Sequence, residues 1–160
     1  MQGGWCKELT EGRRFILKIM PGEEVARQLL LFVQQEGVKN AVIVSAIGSV
    51  KNVHFRGIKS GAKRPITEPR MRQHREEGPF ELLGLEGNLI AGEQGEVDCH
   101  LHVILAKSSG EVIGGHFYDA EVFASCEILL TELLIEGVER HVSKSAGTPT
   151  IFINEESSRG

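Results

Sequence analysis

Val97-Asp98-Cys99-His100-Leu101-His102-Val103-Ile104-Leu105-Ala106, the turn Lys107-Ser108-Ser109-Gly110-Glu111 and Val112-Ile113-Gly114-Gly115-His116-Phe117 read together as an antiparallel hairpin. Side chains alternate between the two faces of a strand, so Asp98, His100 and His102 share one face while Cys99, Leu101 and Val103 share the other. A three-residue loop, Ser108-Ser109-Gly110, with Gly110 in a left-handed conformation, pairs Lys107 with Glu111. That register sets His116 across from His102, on the same face and with Cβ atoms about 4.5–5.5 Å apart. A two-residue loop, Ser109-Gly110, would oppose His102 to Phe117 instead and turn His116 to the other side.

Three imidazoles on one patch suit a divalent transition metal. Zinc fits first, because three neutral nitrogens plus water make an open tetrahedral site, and other divalent transition ions share the preference for imidazole. His100, His102 and His116 are the predicted ligands. Asp98 lies on the same face, as a fourth ligand or as an acceptor that orients an imidazole N–H. Gly114-Gly115 removes side-chain bulk beside His116, so that another backbone or a ligand can come close. Cys99 points away and reads as core. Glu127 is either a surface carboxylate or a second acid reaching the site, and with Asp98 it is a candidate for moving protons. His54, His74 and His141 show no comparable grouping.

Outward from the hairpin, Arg13 to Met20 reads as a strand ending at Pro21-Gly22. From Glu23, apolar Val25, Ala26, Leu29, Leu30, Phe32 and Val33 recur at helical spacing. Glu23 and Glu24 suit the helix N-terminus and Gly37 its stop. Ala41 to Ile47 is nearly continuous apolar sequence, as in a strand buried on both faces, and Val50 to Arg56 continues as another strand. Residues 57–78 carry little apolar periodicity and read as an exposed loop, functional or mobile. Phe80 to Ile90 is strand-like. Val122 to Leu134 is apolar and mixed, either helix or strand. With 160 residues the chain is one domain, expected over residues 1–147, with a tail over 148–160 that holds Ile151-Phe152-Ile153 and then frays.

Composition narrows the class. The chain is 41% hydrophobic and 25% charged, enough to order a compact core. Cys6, Cys99 and Cys126 are too few and too scattered for a disulfide framework or a CxxC ribbon. No run approaches the ~18 apolar residues of a membrane span and no signal-peptide pattern opens the chain, so a cytoplasmic protein without a membrane partner is expected. Eighteen Lys and Arg against 22 Asp and Glu give a net charge of -4, so nucleic-acid binding requires a local basic patch. No P-loop, Rossmann glycine pattern or nucleophile elbow is present.

Gly78-Pro79-Phe80-Glu81-Leu82-Leu83-Gly84-Leu85-Glu86-Gly87-Asn88, then His100-Leu101-His102-Val103-Ile104-Leu105-Ala106, then Gly110-Glu111-Val112-Ile113-Gly114-Gly115-His116 resembles, as an ordered set, the plants-and-prokaryotes-conserved (PPC) domain. The resemblance runs from the Phe15 strand to about Leu134. It implies an α+β fold, with a twisted, largely antiparallel sheet and one main helix, assembled as a homotrimer. Acetolactate decarboxylase is similar in fold and binds zinc through a His-x-His strand and a later histidine, which supports the metal role of His100, His102 and His116. The apolar segment from Phe80 to Leu85, with Phe80, Leu82 and Leu83, is the expected trimer contact.

The family also implies DNA binding, mainly through members that join the domain to an AT-hook. Here Lys63-Arg64-Pro65 has the Arg-Pro step without the Arg-Gly-Arg-Pro core. The candidate patch is the loop with Lys63, Arg64, Arg70, Arg72 and Arg75, which reads first as a solvated surface loop and only second as a DNA contact. Three functions follow: a regulatory or DNA-associated trimer with a structural or sensory metal, a zinc-dependent enzyme acting on a small oxygen-rich substrate, or a protein that binds a small-molecule ligand without turnover.

Overall fold

Alternation around the histidines carries through to the computed structural model, which describes residues 2–154. The elements are β1 (Thr10–Ile19), α1 (Val25–Glu36), β2 (Asn40–Ile58), β3 (Met71–Glu76), β4 (Phe80–Ala91), β5 (Val97–Ala106), β6 (Val112–Leu134), β7 (Val138–Val142) and β8 (Pro149–Ile153). This is α+β: a mostly antiparallel sheet and, among the described residues, a single α-helix.

Six strands form one sheet in the order β1-β6-β5-β4-β2-β3, and β2 also pairs with β6. The pairings β2–β4, β4–β5, β5–β6 and β6–β2 therefore close a cycle. Two long strands make closure possible. β2 and β6 slip register between Ile43 and Ser45, Gly48 and Val50, and Lys51 and His54, and such bulges bend and twist a strand. The predicted strands at 41–47 and 50–56 are thus one element, and Val112–Phe117 runs on into Val122–Leu134 as strand, which resolves the helix-or-strand ambiguity.

Leu82, Leu85, Leu101, Val103, Leu105, Phe117 and Ile128 fill the core, and α1 closes it with Val25, Ala26, Leu29 and Val33. Gly37 stops the helix in a left-handed conformation at φ 66°, and the Val38 N–H reaches back to the Val33 carbonyl at 2.8 Å. The other end differs from expectation. Glu23 and Glu24 precede the first turn, and Glu24, the N-cap residue, makes no side-chain cap. Asp119 of β6 accepts the Ala26 N–H instead, at 2.9 Å.

Three further expectations are corrected. Ala41–Ile47 is covered on one face only: Ala41, Ile43 and Ala46 are buried while Val44 and Ile47 are exposed, because one helix covers just one side of the sheet. Residues 57–78 are not all loop, since β3 pairs with the end of β2 from Val53↔Glu76 to Ile58↔Met71. Backbone pairing of an edge strand needs no apolar periodicity, so the sequence pattern is silent there. The tail is also partly built in, because β8 pairs with β7 from Val138↔Ile153 to Val142↔Pro149. The frayed end expected after Ile153 falls, from residue 155 onward, outside the described residues.

Candidate metal centre

The hairpin takes the three-residue loop. The Lys107 N–H donates to the Glu111 carbonyl at 2.9 Å, Gly110 has φ 84°, and His102 pairs with His116. Neighbouring ladders extend that pair into a row across four strands: Glu86 of β4 opposite His102, His102 opposite His116, and His116 opposite Arg56 of β2. His100 stands across from Asn88.

The ligating atoms of His100, His102 and His116 all lie within 4.8 Å of one another. His100 Nε2 and His102 Nε2 are 3.3 Å apart, and the three ring centroids are 5.2 to 5.4 Å apart. Bonds of ~2.0–2.1 Å to a tetrahedral zinc put two ligand nitrogens ~3.3 Å apart, so the closest pair already has the required spacing. The donor set and its size fit a single transition ion.

Electrostatics favour the same use. The His116 pKa is pushed down to about 4, first by burial, then by Arg56, the two other imidazoles and Arg140. His100 is lowered too, by burial, then Arg140, His102 and Arg56, with Asp98 opposing. Both are therefore neutral near pH 7, the form in which imidazole binds a metal. Burial, with help from Asp98, pushes the Cys99 thiol up to about 12, so it is no thiolate ligand.

Two glycines show how closely the backbones are drawn together. A Cβ on Gly87, at φ 139°, would lie 1.9 Å from the His100 carbonyl oxygen. One on Gly114 would lie 2.1 Å from the Val103 carbonyl oxygen. The glycines near His116 thus admit neighbouring backbone.

The other predicted residues separate. Asp98 lines the cavity beside His100, with Oδ1 accepting the Cys99 N–H at 2.8 Å. Glu127 is not brought there: it is exposed far along β6, between Lys18 and Ile47. Of the segment expected at a trimer contact, Phe80 and Leu82 are buried in the chain's own core, whereas Leu83, at a break in the β4–β5 register, is 50% exposed. The basic loop is dispersed. Arg70 donates to the Lys63 carbonyl at 2.9 Å and also to that of Pro65, holding the turn, while Lys63, Arg64, Arg72 and Arg75 are exposed. Arg72 and Arg75 lie an odd number of residues apart on β3 and face opposite sides. His54 lies tilted against Tyr118, His74 stacks on Phe55, and His141 meets Glu93 at 3.1 Å.

Sequence reasoning missed Arg56, Asn88 and Arg140. Arg56 follows from counting the β2–β6 register back from His116, but the intervening bulges hide it. Arg140 arrives on the β7–β8 hairpin, whose contact with the sheet leaves no pattern in the sequence. A cavity of about 400 Å³ opens where these groups meet, lined by Arg56, Asp98, His100, His116 and Arg140.

Fold and site together define a small antiparallel domain with a three-histidine patch beside a cavity walled by both charged and apolar side chains. Residues 6–134 match the Plants and Prokaryotes Conserved (PCC) domain, and the chain belongs to that family, as the ordered motifs anticipate. A metal-containing protein from Archaeoglobus fulgidus superposes with a TM-score of 0.80 at 30% identity, over 93% of this chain and 99% of that one. A plant- and prokaryote-conserved protein from Pyrococcus horikoshii gives 0.77 at 29%, over 94% of this chain and 100% of that one. Among curated proteins, AT-hook motif nuclear-localized protein 14 of Arabidopsis thaliana is 35% identical over 101 residues, 62% of this chain. The match spans only 22% of that relative's length, and a second curated relative is likewise covered over 21%. Among the described residues, no helix is long and apolar enough to cross a membrane.

Proposed function

We propose that this protein is a homotrimeric, metal-binding regulatory module in which His100, His102 and His116 hold one divalent transition ion, zinc by preference, and which works in association with DNA. The observation that carries the reading is the set of three imidazoles within 4.8 Å, two of them held neutral by burial and nearby arginines. The metal content of the Archaeoglobus relative supports it. Elemental analysis of protein purified without a His-tag, against His100→Ala/His102→Ala, tests it: the wild type carries about one ion per chain and the variant almost none. Equal content in both overturns the site.

Trimer assembly is supported by an uncovered apolar face. Ile16 of β1 pairs with Leu129 of β6, and Val44 and Ile47 stand beside them on β2, with Ile16 78% exposed. An exposed cluster of this kind marks an interface. Native mass spectrometry reads the assembly directly, and a monomer at micromolar concentration removes it. Association with DNA rests on the AT-hook relative and on exposed Lys63, Arg64, Arg72 and Arg75, repeated in each protomer. Binding to AT-rich duplex then falls steeply with salt and weakens in Arg72→Ala/Arg75→Ala. No mobility shift at low salt counts against it.

The cavity favours a second reading, a zinc-dependent enzyme acting on a small oxygen-rich substrate. Three protein ligands leave one position open, where a bound ion polarises a carbonyl or activates water. Asp98, at the cavity wall, is the acid placed to hold a proton. X-ray absorption of the zinc-loaded protein showing four protein ligands would defeat this reading.

A further inference from the structure

Two arginines are buried beside the imidazoles without a carboxylate to pair them. Arg140 is 4% exposed. Its Nη2 donates to Asn88 Oδ1, while Nε and Nη1 are buried and have no hydrogen-bond partner among the described residues. Arg56 is 8% exposed and makes no ion pair among the described residues. A guanidinium stays charged at any ordinary pH, and burying it unmatched is costly. Asp98 shares the cavity wall but forms an ion pair with neither arginine, and its Oδ1 is engaged by the Cys99 N–H.

Both guanidinia are tied to the metal-site strands. Asn88, which Arg140 grips, stands across from His100, and Arg56 stands across from His116. Arg56 is therefore one strand spacing from His116, Arg140 reaches the strand neighbour of His100 through Asn88, and the side chains of Arg56, Arg140, His100 and His116 line the same cavity with apolar Leu30 and Phe117. Its volume, about 400 Å³, suits a small molecule. Among the cavity's own side chains, two guanidinium charges against one carboxylate leave a single positive charge, which a carboxylate balances.

We infer that the cavity binds a small carboxylic acid, its carboxylate against Arg56 and Arg140 and a neighbouring hydroxyl or keto oxygen turned toward the three histidines. Planar guanidinium forks match a carboxylate through paired N–H donors. The second contact rests on the metal reading proposed above, while the first needs the arginines alone.

The test uses the full chain, 15N-labelled, metal-free and zinc-loaded, with the arginine Nε–H signals followed by NMR as L-lactate, its neutral analogue lactamide and inorganic phosphate are added. Lactate shifts the Arg56 and Arg140 signals saturably in both forms, more tightly with zinc, and lactamide leaves them in place. Arg56→Gln and Arg140→Lys each weaken lactate binding by about tenfold or more, with zinc content unchanged. The two substitutions sit on different strands, and a dispersed amide spectrum identifies the folded variants. Zinc uptake without any arginine response to lactate overturns this inference and leaves the metal reading intact. Lactate binding without zinc uptake sinks the metal reading and leaves the carboxylate contact standing. Equal binding of lactamide, or tighter binding of phosphate than of lactate, overturns the carboxylate assignment.

Discussion

Arg56 stands directly opposite His116 in the β2–β6 ladder, so a buried guanidinium and a candidate metal ligand share one face of the sheet, one strand apart. Their proximity helps to keep the imidazole neutral, second only to burial. Arg56→Met in the metal-free protein therefore raises the His116 pKa from about 4 without restoring the ordinary value, because burial remains. Imidazole Cε1–H shifts followed against pH measure this, and an unchanged midpoint would show that the arginine is not felt.

Acid sensitivity of the metal-free protein follows with a definite sign. The His116 pKa is lowered on folding from 6.5 to about 4 and that of His100 is lowered too, so below pH 6.5, and down to about pH 4 for His116, the unfolded chain binds more protons than the folded one. Stability contributed by these groups is present above pH 6.5 and is lost as pH falls toward 4. Urea midpoints measured across this window should decline toward acid, and His116→Gln should flatten the decline.

Zinc should stabilise the fold as well as occupy it. A ligand held at 100 times its dissociation constant adds about 2.7 kcal/mol, which for a chain of this size raises the melting temperature by roughly 5–10 °C. Chelator removes the gain in the wild type and changes nothing in His100→Ala/His102→Ala. A calorimetric scan with and without chelator distinguishes the two outcomes.

Gly87 is the backbone position on which the His100 strand depends. An alanine Cβ would meet the His100 carbonyl oxygen at 1.9 Å, at a φ of 139° that L-residues avoid. Gly87→Ala should cost about 1–3 kcal/mol or more and loosen metal binding along with stability. Full stability and unaltered zinc affinity would contradict the close β4–β5 approach.

Asp119 caps α1 from outside the helix, accepting the Ala26 N–H at 2.9 Å. Asp119→Ala should cost about 0.5–2 kcal/mol, the usual loss for a cap, while Glu24→Ala should be nearly neutral. Chemical denaturation of the two variants ranks them, and the reverse order would return the cap to Glu24.

Much of the candidate site was legible before the fold was known. His100-Leu101-His102 alternates, and a three-residue loop Ser108-Ser109-Gly110 is one of the two turns the sequence allows; the structure takes it and so brings His116 across from His102. Sheet content and the α1 boundaries near Val25 and Gly37 were also readable, because periodicity and a left-handed glycine are properties of adjacent residues. The segment Met71–Glu76 was not, because an edge strand held by backbone bonds to β2 shows no apolar alternation. Phe80 and Leu82 looked available for an interface because apolar character alone does not say whose core a residue joins; the closed cycle of strands buries them within their own chain.

By itself the sequence put His100 and His102 on one strand face through alternation, which acts over a few residues, while its ordered motifs carried the resemblance that implies an α+β fold. Only the tertiary structure decided what surrounds them. Arg56 reaches the site through a ladder interrupted by bulges, and Arg140 through a hairpin that meets Asn88 from 52 residues away. Which distant side chains share a cavity depends on how the whole sheet closes, and that closure is cooperative: no local pattern encodes it.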